Sequence, residues 1–307
     1  MKKKLFNLII FTVIFFNFKQ NCSQTQTLTS KNNIYYEKFK DLLLVINFNH
    51  PHYSNIPFLK KLYSPIFKNI VFYGDKPDPN VCRVYTQNGI FMTNILPDVL
   101  TRFPQFKGYL ILQDDCILNF WNFLSLDQNK IWFSTRFTNN GKTGISVVKL
   151  TNGEYVSGFD WGFCWNIGYN FAWWAEGTGL TIIKTMKKAY LNFTKEDKII
   201  LEENIGIGNV AANPCDFFYF PSRFREGIIR LSPAFNLVEH EAAIPTMFCS
   251  LDLIKNWENL YICQGQGPIN SKNYPKELHW AHPVKFSNSN NRAIISEIFN
   301  KMLLEQN

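Results

Sequence analysis

Two adjacent carboxylates, Asp114 and Asp115, close the apolar run Tyr109 to Leu112 in the stretch Gly-Tyr-Leu-Ile-Leu-Gln-Asp-Asp-Cys of residues 108–116. The run has the composition of a strand covered on both faces, so the pair emerges at its carboxyl end, where open α/β sheets bind ligands. Neighbouring carboxylates repel each other and lose hydration there, and a cation between them and a ligand relieves both costs. A divalent metal linking Asp oxygens to a nucleotide diphosphate is the simplest such arrangement. Asp-Asp after a strand also serves as a helix N-cap or a turn, and the pair alone leaves both readings open.

Other residues offer acid–base chemistry. Glu239-His240-Glu241 sets two carboxylates and an imidazole ahead of a predicted helix. Either glutamate is a candidate general base toward an acceptor hydroxyl, or both are solvated or support the helix start. Glu241 is the favoured base, since Ala242, Ala243 and Ile244 would hold it at a packed helix start; Asp216, opening the apolar run Phe217 to Phe220, competes with it. His279 and His282 lie in Glu277 to Lys285. A single histidine is commonly structural, yet a neutral imidazole in a loop also partners Asp oxygens on a metal.

The elements that must position these groups follow from periodicity. Leu42 to Asn49 and Asn69 to Tyr73 repeat the buried-strand pattern, the second ending in Gly74-Asp75-Lys76-Pro77. Three strand ends thus turn polar loops to one rim, with Asn47 and Asn49 where a base or ribose would lie and Gly74 and Asp75 beside them. A helix from Ser54 to Leu62, opened by Pro57, and a second over Ile95 to Phe103 complete a β-α-β-α-β order. That order is Rossmann-like, but no Gly-x-Gly-x-x-Gly follows the first strand, which disfavours a dinucleotide bound at a helix amino terminus. Gly206-Ile207-Gly208 reads as a helix C-cap. Trp132 to Thr135, Ile145 to Leu150 and Cys215 to Pro221 are further strands, and Ile182 to Phe193 and Arg292 to Leu304 are helices. The rings of Trp161 to Trp165, Phe171, Trp173 and Trp174 suit a core or a platform that stacks on sugar faces. The expectation is a single α/β domain, a mixed central sheet flanked by helices.

The 307 residues suffice for a sizeable core, and 16% aromatic residues argue against disorder. The formal charge of +8 owes part of its excess to Lys2, Lys3 and Lys4, and the other basic residues form no stripe, so nucleic acid is not an expected partner. Those lysines precede an apolar run, Leu5 to Phe18, without a good cleavage site after it. Residues 1–23 are accordingly a signal anchor or a signal peptide, the anchor being preferred, with a short stem at 24–34 and the folded body at 35–307. The body is then lumenal or extracellular. There, six body cysteines (Cys82, Cys116, Cys164, Cys215, Cys249 and Cys263) suggest disulfides, and Asn21-Cys22-Ser23 and Asn192-Phe193-Thr194 are glycosylation sequons.

Residues 45–53 (Val-Ile-Asn-Phe-Asn-His-Pro-His-Tyr), Pro57 to Lys60, Ile70 to Gly74, Gly108 through Asp114-Asp115 to Asn122, and Phe217 to Pro221 together resemble the STELLO-type glycosyltransferases, discontinuously over residues 40–285. The resemblance implies a GT-A-like fold with a membrane anchor, and a strand-end motif that holds Mn²⁺ or Mg²⁺ on the diphosphate of a sugar nucleotide. By that implication Asp114 and Asp115 match the motif and His282 is the third ligand. The motif here is Gln-Asp-Asp-Cys rather than a spaced Asp-x-Asp; Asp115, the farther along, is expected on the metal, with Asp114 supporting it or the ribose. The expected activity is metal-dependent transfer of a sugar from a nucleotide-sugar donor to a glycan or glycoprotein hydroxyl, in the Golgi or elsewhere in the secretory pathway. The alternative is a secreted carbohydrate-binding protein of the same fold without turnover.

Overall fold

Leu42 to Asn47 contains no polar residue before its last position, and all six residues are buried in the structure, a computed structural model. The structure describes residues 33–135, 137–139, 144–149, 155–160, 162–168, 179–264, 274 and 276–305. They belong to one compact unit, Asn32–Asn307. Its first half runs α1 (Ile34–Phe39), β1 (Leu42–Asn47), α2 (Ile56–Tyr63), β2 (Asn69–Gly74), β3 (Val81–Arg83), α3 (Ile95–Arg102), β4 (Gly108–Gln113), β5 (Ile117–Leu118), β6 (Trp132–Phe133) and β7 (Phe137–Asn139). There follow β8 (Gly144–Lys149), β9 (Tyr155–Asp160), β10 (Gly162–Asn166), α4 (Gly179–Leu191), α5 (Lys195–Ile205), β11 (Asn209–Ala212) and β12 (Phe217–Pro221). Last come α6 (Arg225–Leu231), α7 (His240–Leu251), β13 (Glu258–Asn259), β14 (Ile262–Gln264), β15 (Trp280–His282) and α8 (Ser289–Leu304).

Seven strands form the central sheet in the order β13-β6-β12-β4-β1-β2-β3. β3, β2, β1 and β4 are mutually parallel, and β12 lies antiparallel to β4. This is the mixed α/β, GT-A-like architecture that the resemblance implies. Alternate side chains of β1 enter two separate cores. Leu43 and Val45 pack with Ile95, Leu96, Val99 and Leu100 of α3 on one face. Leu42, Leu44 and Ile46 pack with Leu59 and Leu62 of α2 and Ile295 and Ile298 of α8 on the other. Each such buried side chain is worth about 1.5–3 kcal/mol, which is why the three framing strands read so clearly as apolar runs.

The cysteines correct one expectation. Cys82, Cys116, Cys164, Cys215 and Cys249 are free. Cys116 lies in the core on one face of the sheet and Cys164, Cys215 and Cys249 in the core on the other, so the sheet itself separates the first from the rest. Burial pushes the thiols of Cys116, Cys215 and Cys249 well above their ordinary range, so they behave as small apolar residues. The side chain of Cys263 lies outside the described residues, as do the predicted anchor at 1–23 and residues 24–32 of the predicted stem. Among the described residues no helix is long and apolar enough to cross a membrane.

One core histidine makes a measurable prediction. The ring of His279 is stacked between Phe123 and Tyr261, and its Nδ1 accepts from the Tyr261 amide at 3.0 Å. Burial pulls the imidazole down to about 4. A folded value below the unfolded one means that the unfolded chain binds the extra proton. The stability is therefore complete above the ordinary histidine range and is lost as pH falls from about 6.5 toward 4, by up to about 3 kcal/mol. Urea denaturation of the full chain at pH 7 and pH 5 should show a difference that is smaller in His279→Gln; equal differences in the two proteins would refute the assignment.

Candidate active site

The chain leaves β1 toward β2 and β3 on one side and returns to β4 on the other, so β1 and β4 flank the point where the strand order reverses. Open α/β sheets bind ligands in the crevice at such a point. Asp114 and Asp115 follow β4 here and occupy a turn, in which the Cys116 amide donates to the Gln113 carbonyl at 3.1 Å. The turn reading of the pair is thus met, at the rim where the metal reading would need it.

The two carboxylates face different partners. Asp114, buried, accepts from the Asn49 amide at 2.9 Å, and its own amide donates to the Asn47 carbonyl at 2.9 Å. Burial raises its pKa to about 7, against the Asn49 hydrogen bond and with help from the charge of Asp115. Asp115 lies 3.5 Å from His282 Nε2 and 3.2 Å from Lys285 Nζ. Burial favours its neutral form, but the hydrogen bond and charge of His282 and the nearby Lys285 outweigh it, and its pKa falls below the ordinary value. Burial pulls His282 down, yet the charge of Asp216, the hydrogen bond and charge of Asp115 and the charge of Glu241 carry it up to about 9.

The antiparallel direction of β12 brings its amino-terminal end, not its carboxyl end, to this rim. Asp216 precedes β12, and its carbonyl accepts from the Gln113 amide at 2.8 Å. Its carboxylate lies between two imidazoles, 3.4 Å from His282 Nδ1 and 3.4 Å from His240 Nε2. His240 opens α7, and its Nδ1 lies 3.1 Å from the Ile90 carbonyl and 3.3 Å from Glu239 Oε1. Burial pulls His240 down, yet the Asp216 contact and the charge of Glu239 carry it up to about 10. Gln113 Nε2 lies 3.0 Å from His240 Nε2, and Asn49 Nδ2 donates to Gln113 Oε1 and, at 3.2 Å, to Asp115 Oδ1. Asp115, Asn49, Gln113, His240, Asp216 and His282 therefore close a ring of polar contacts.

Glu239 is the N-cap of α7, accepting from the Glu241 amide at 3.2 Å. Burial and the charge of Glu241 push it up to about 8. Glu241 is buried and groups with Asp216 and His240, with ligand atoms within 4.8 Å of one another. Asp115, Cys116 and His282 form a second such group. A divalent cation suits this chemistry. The oxygens of Asp115 are ordinary donors for Mn²⁺ or Mg²⁺ and the nitrogen of His282 suits Mn²⁺ better than the harder Mg²⁺, whereas the Cys116 thiol is held protonated by burial. Five carboxylates (Asp114, Asp115, Asp216, Glu239 and Glu241) face three basic groups, His240, His282 and Lys285. Asp216 Oδ2 and Glu239 Oε2 are buried without a hydrogen bond. Uncompensated buried charge is costly, and either a dication or protons on Asp114 and Glu239 can offset it.

The remaining residues singled out by sequence are placed as follows. Asn47 is buried, and neither atom of its carboxamide forms a hydrogen bond. Gly74 lies under the Tyr53 ring, where a Cβ would fall 2.5 Å from the hydroxyl. Asp75 accepts from Thr86 N at 2.6 Å, Thr86 Oγ1 at 2.7 Å and Asn88 N at 2.8 Å. It thereby anchors a loop with positive φ at Gln87, Asn88 and Gly89, which presents the Ile90 carbonyl to His240. Gly89, at φ 85°, also leaves room for Asn49, whose Oδ1 would lie 2.1 Å from a Cβ there. Of the rings read as core or stacking platform, Trp165 is partly buried against the core, and Trp161, Phe171, Trp173 and Trp174 lie outside the described residues. Sequence reasoning missed Gln113 and Lys285. Gln113 directly precedes the Asp pair and Lys285 stands three residues after His282, but nothing in their spacing alone marks them.

No family model matches the chain. It is similar to two proteins of Arabidopsis thaliana, described as probable glycosyltransferase STELLO1 (25% identical over 226 residues) and probable glycosyltransferase STELLO2 (22% identical over 268 residues). The matches take in 72% and 82% of this chain and 26% and 31% of the two relatives, so the chain spans less than a third of either. The resemblance to the STELLO-type group read from the residues is met in these two proteins.

Proposed function

We propose that the protein is a glycosyltransferase that moves a sugar from a nucleotide-sugar donor to a glycan or glycoprotein hydroxyl, with a divalent cation as cofactor. One observation carries the reading: an ionised Asp115 meets His282 and Lys285 at the sheet's reversal point, in a chain similar to proteins described as glycosyltransferases. Asp115 and His282 would hold Mn²⁺ or Mg²⁺, which when bound neutralises the diphosphate leaving group. Lys285, whose ammonium is largely exposed beside Asp115, adds positive charge for the phosphates. Asp114 fixes the backbone after β1 through the Asn49 amide, so that Asn47 and Asn49 border the space assigned to base and ribose, with Gly74 and Asp75 shaping the neighbouring loops. Glu241 takes the proton of the acceptor hydroxyl if the transfer inverts configuration.

The decisive experiment titrates full-length protein with nucleoside diphosphates and nucleotide sugars, with and without Mn²⁺. Nucleoside diphosphate should bind only with the metal, and a nucleotide sugar should support transfer. Binding of glycans that needs neither metal nor nucleotide would favour a carbohydrate-binding protein instead. The basic and apolar amino terminus supports placing the protein in the Golgi or another secretory-pathway membrane as a type II protein. Recovery of a soluble secreted form that starts between Asn21 and Ser30 would replace the anchor by a cleaved signal.

A further inference from the structure

His282 presents its two ring nitrogens to two different carboxylates, Nε2 to Asp115 at 3.5 Å and Nδ1 to Asp216 at 3.4 Å. If Nε2 joins Asp115 on a cation, Nδ1 must carry the ring proton, and a buried N–H needs an acceptor. Asp216 Oδ2 is placed for that role: its residue is 4% exposed, and the oxygen has no hydrogen bond of its own. The rest of Asp216 is fixed. Its other oxygen faces His240 Nε2 at 3.4 Å, its carbonyl holds the Gln113 amide at 2.8 Å, and His240 is held in turn by the Ile90 carbonyl and Glu239. A carboxylate that faces an imidazole at each oxygen and is closed off from solvent is poorly disposed to receive a proton from an acceptor sugar. It is well disposed to orient a ring.

We propose that Asp216 is a positioning residue that orients His282 as a ligand to the cation on Asp115, and is neither the transfer base nor itself a ligand. The proposal rests on the metal reading above and adds a residue to it. Losing such an outer partner typically weakens metal binding about 10–100-fold.

The test measures Mn²⁺ affinity of the full chain by the electron paramagnetic resonance signal of the free ion. Asp216→Asn should weaken binding about 10–100-fold with the thermal unfolding midpoint retained. In a His282→Ala background the same substitution should change affinity by less than about threefold, since the residue acts through the ring. Additive losses would make Asp216 an independent ligand and overturn the proposal. The protein with native Asp216 supplies a second readout: imidazole-nitrogen coupling to bound Mn²⁺ should vanish in His282→Ala and persist in His240→Gln. The reverse pattern would put the cation on Asp216, His240 and Glu241 and overturn it too. If the parent does not bind Mn²⁺, the metal reading falls and this role with it; if the parent binds and Asp216→Asn binds equally well, only the positioning role falls.

Discussion

Asp115→Asn should lose Mn²⁺-dependent binding of nucleoside diphosphate by on the order of 100-fold or more while the protein stays folded. The substitution keeps the shape of the side chain and removes the charge that His282 and Lys285 surround. An amide oxygen is a far weaker ligand than a carboxylate for a hard dication. With the negative charge gone, nothing at this position offsets the repulsion between the Lys285 ammonium and an incoming dication. Asp114→Asn is the contrast: the Asn49 amide can still donate to an amide oxygen, so the loss should be smaller and should fall on the backbone after β1. Calorimetric titration with and without Mn²⁺ reads both variants. An Asp115→Asn protein that binds as tightly as its parent would reduce the pair to the turn it also forms.

Glu241→Gln should lower the transfer rate by about 10²–10⁴-fold, the usual contribution of a general base, with nucleotide affinity unchanged. Glu239 is the weaker candidate on two grounds. Its Oε1 already accepts from the Glu241 amide at the start of α7, and its pKa of about 8 leaves it largely protonated at neutral pH, when a base must be free to accept. Glu239→Gln, which keeps an oxygen to accept from the Glu241 amide, should therefore change the rate little, whereas Glu239→Ala should cost helix-cap stability, about 1 kcal/mol. Single-turnover transfer at saturating donor, set beside donor binding, separates rate from affinity. Undiminished rates in both glutamate variants would leave Asp216 as base or point to a retaining mechanism without one.

What the sequence displayed of this site follows from how each part is encoded. β1, β2 and β4 are buried on one or both faces, so their apolar runs and polar ends were legible, and with them Asn47, Asp114 and Asp115. The convergence was not. That Asp216 faces His282 depends on β12 running antiparallel beside β4 and on β15 pairing with β5, and strand partners across a hundred residues leave no periodic mark. Trp132 to Thr135 was legible as a strand, but its two-residue extent, Trp132–Phe133, and its direction are set by its neighbours and were not. The cysteines misled because a half-cystine and a buried thiol have the same local appearance, and only the folded positions, with Cys116 across the sheet from Cys164, Cys215 and Cys249, tell them apart. Asp75 read as a ligand-facing group at a strand end, while its carboxylate is taken up by loop amides that no motif announces.

The residues that meet around Asp115 come from widely separated parts of the chain, Lys285 lying 170 positions after the aspartate it touches. During synthesis β1, β2 and β4 emerge long before β15, so the first half of the rim is made when its partners do not yet exist. The cost of closing so long a loop rises only slowly with its length, but such distant contacts form late. A cation shared by Asp115 and His282 would act as a clasp fastened last, joining the first half of the protein to its final strand. Mn²⁺ affinity would then report completed assembly, and a nascent chain released before residue 282 would carry the acidic end of β4 with nothing to close over it.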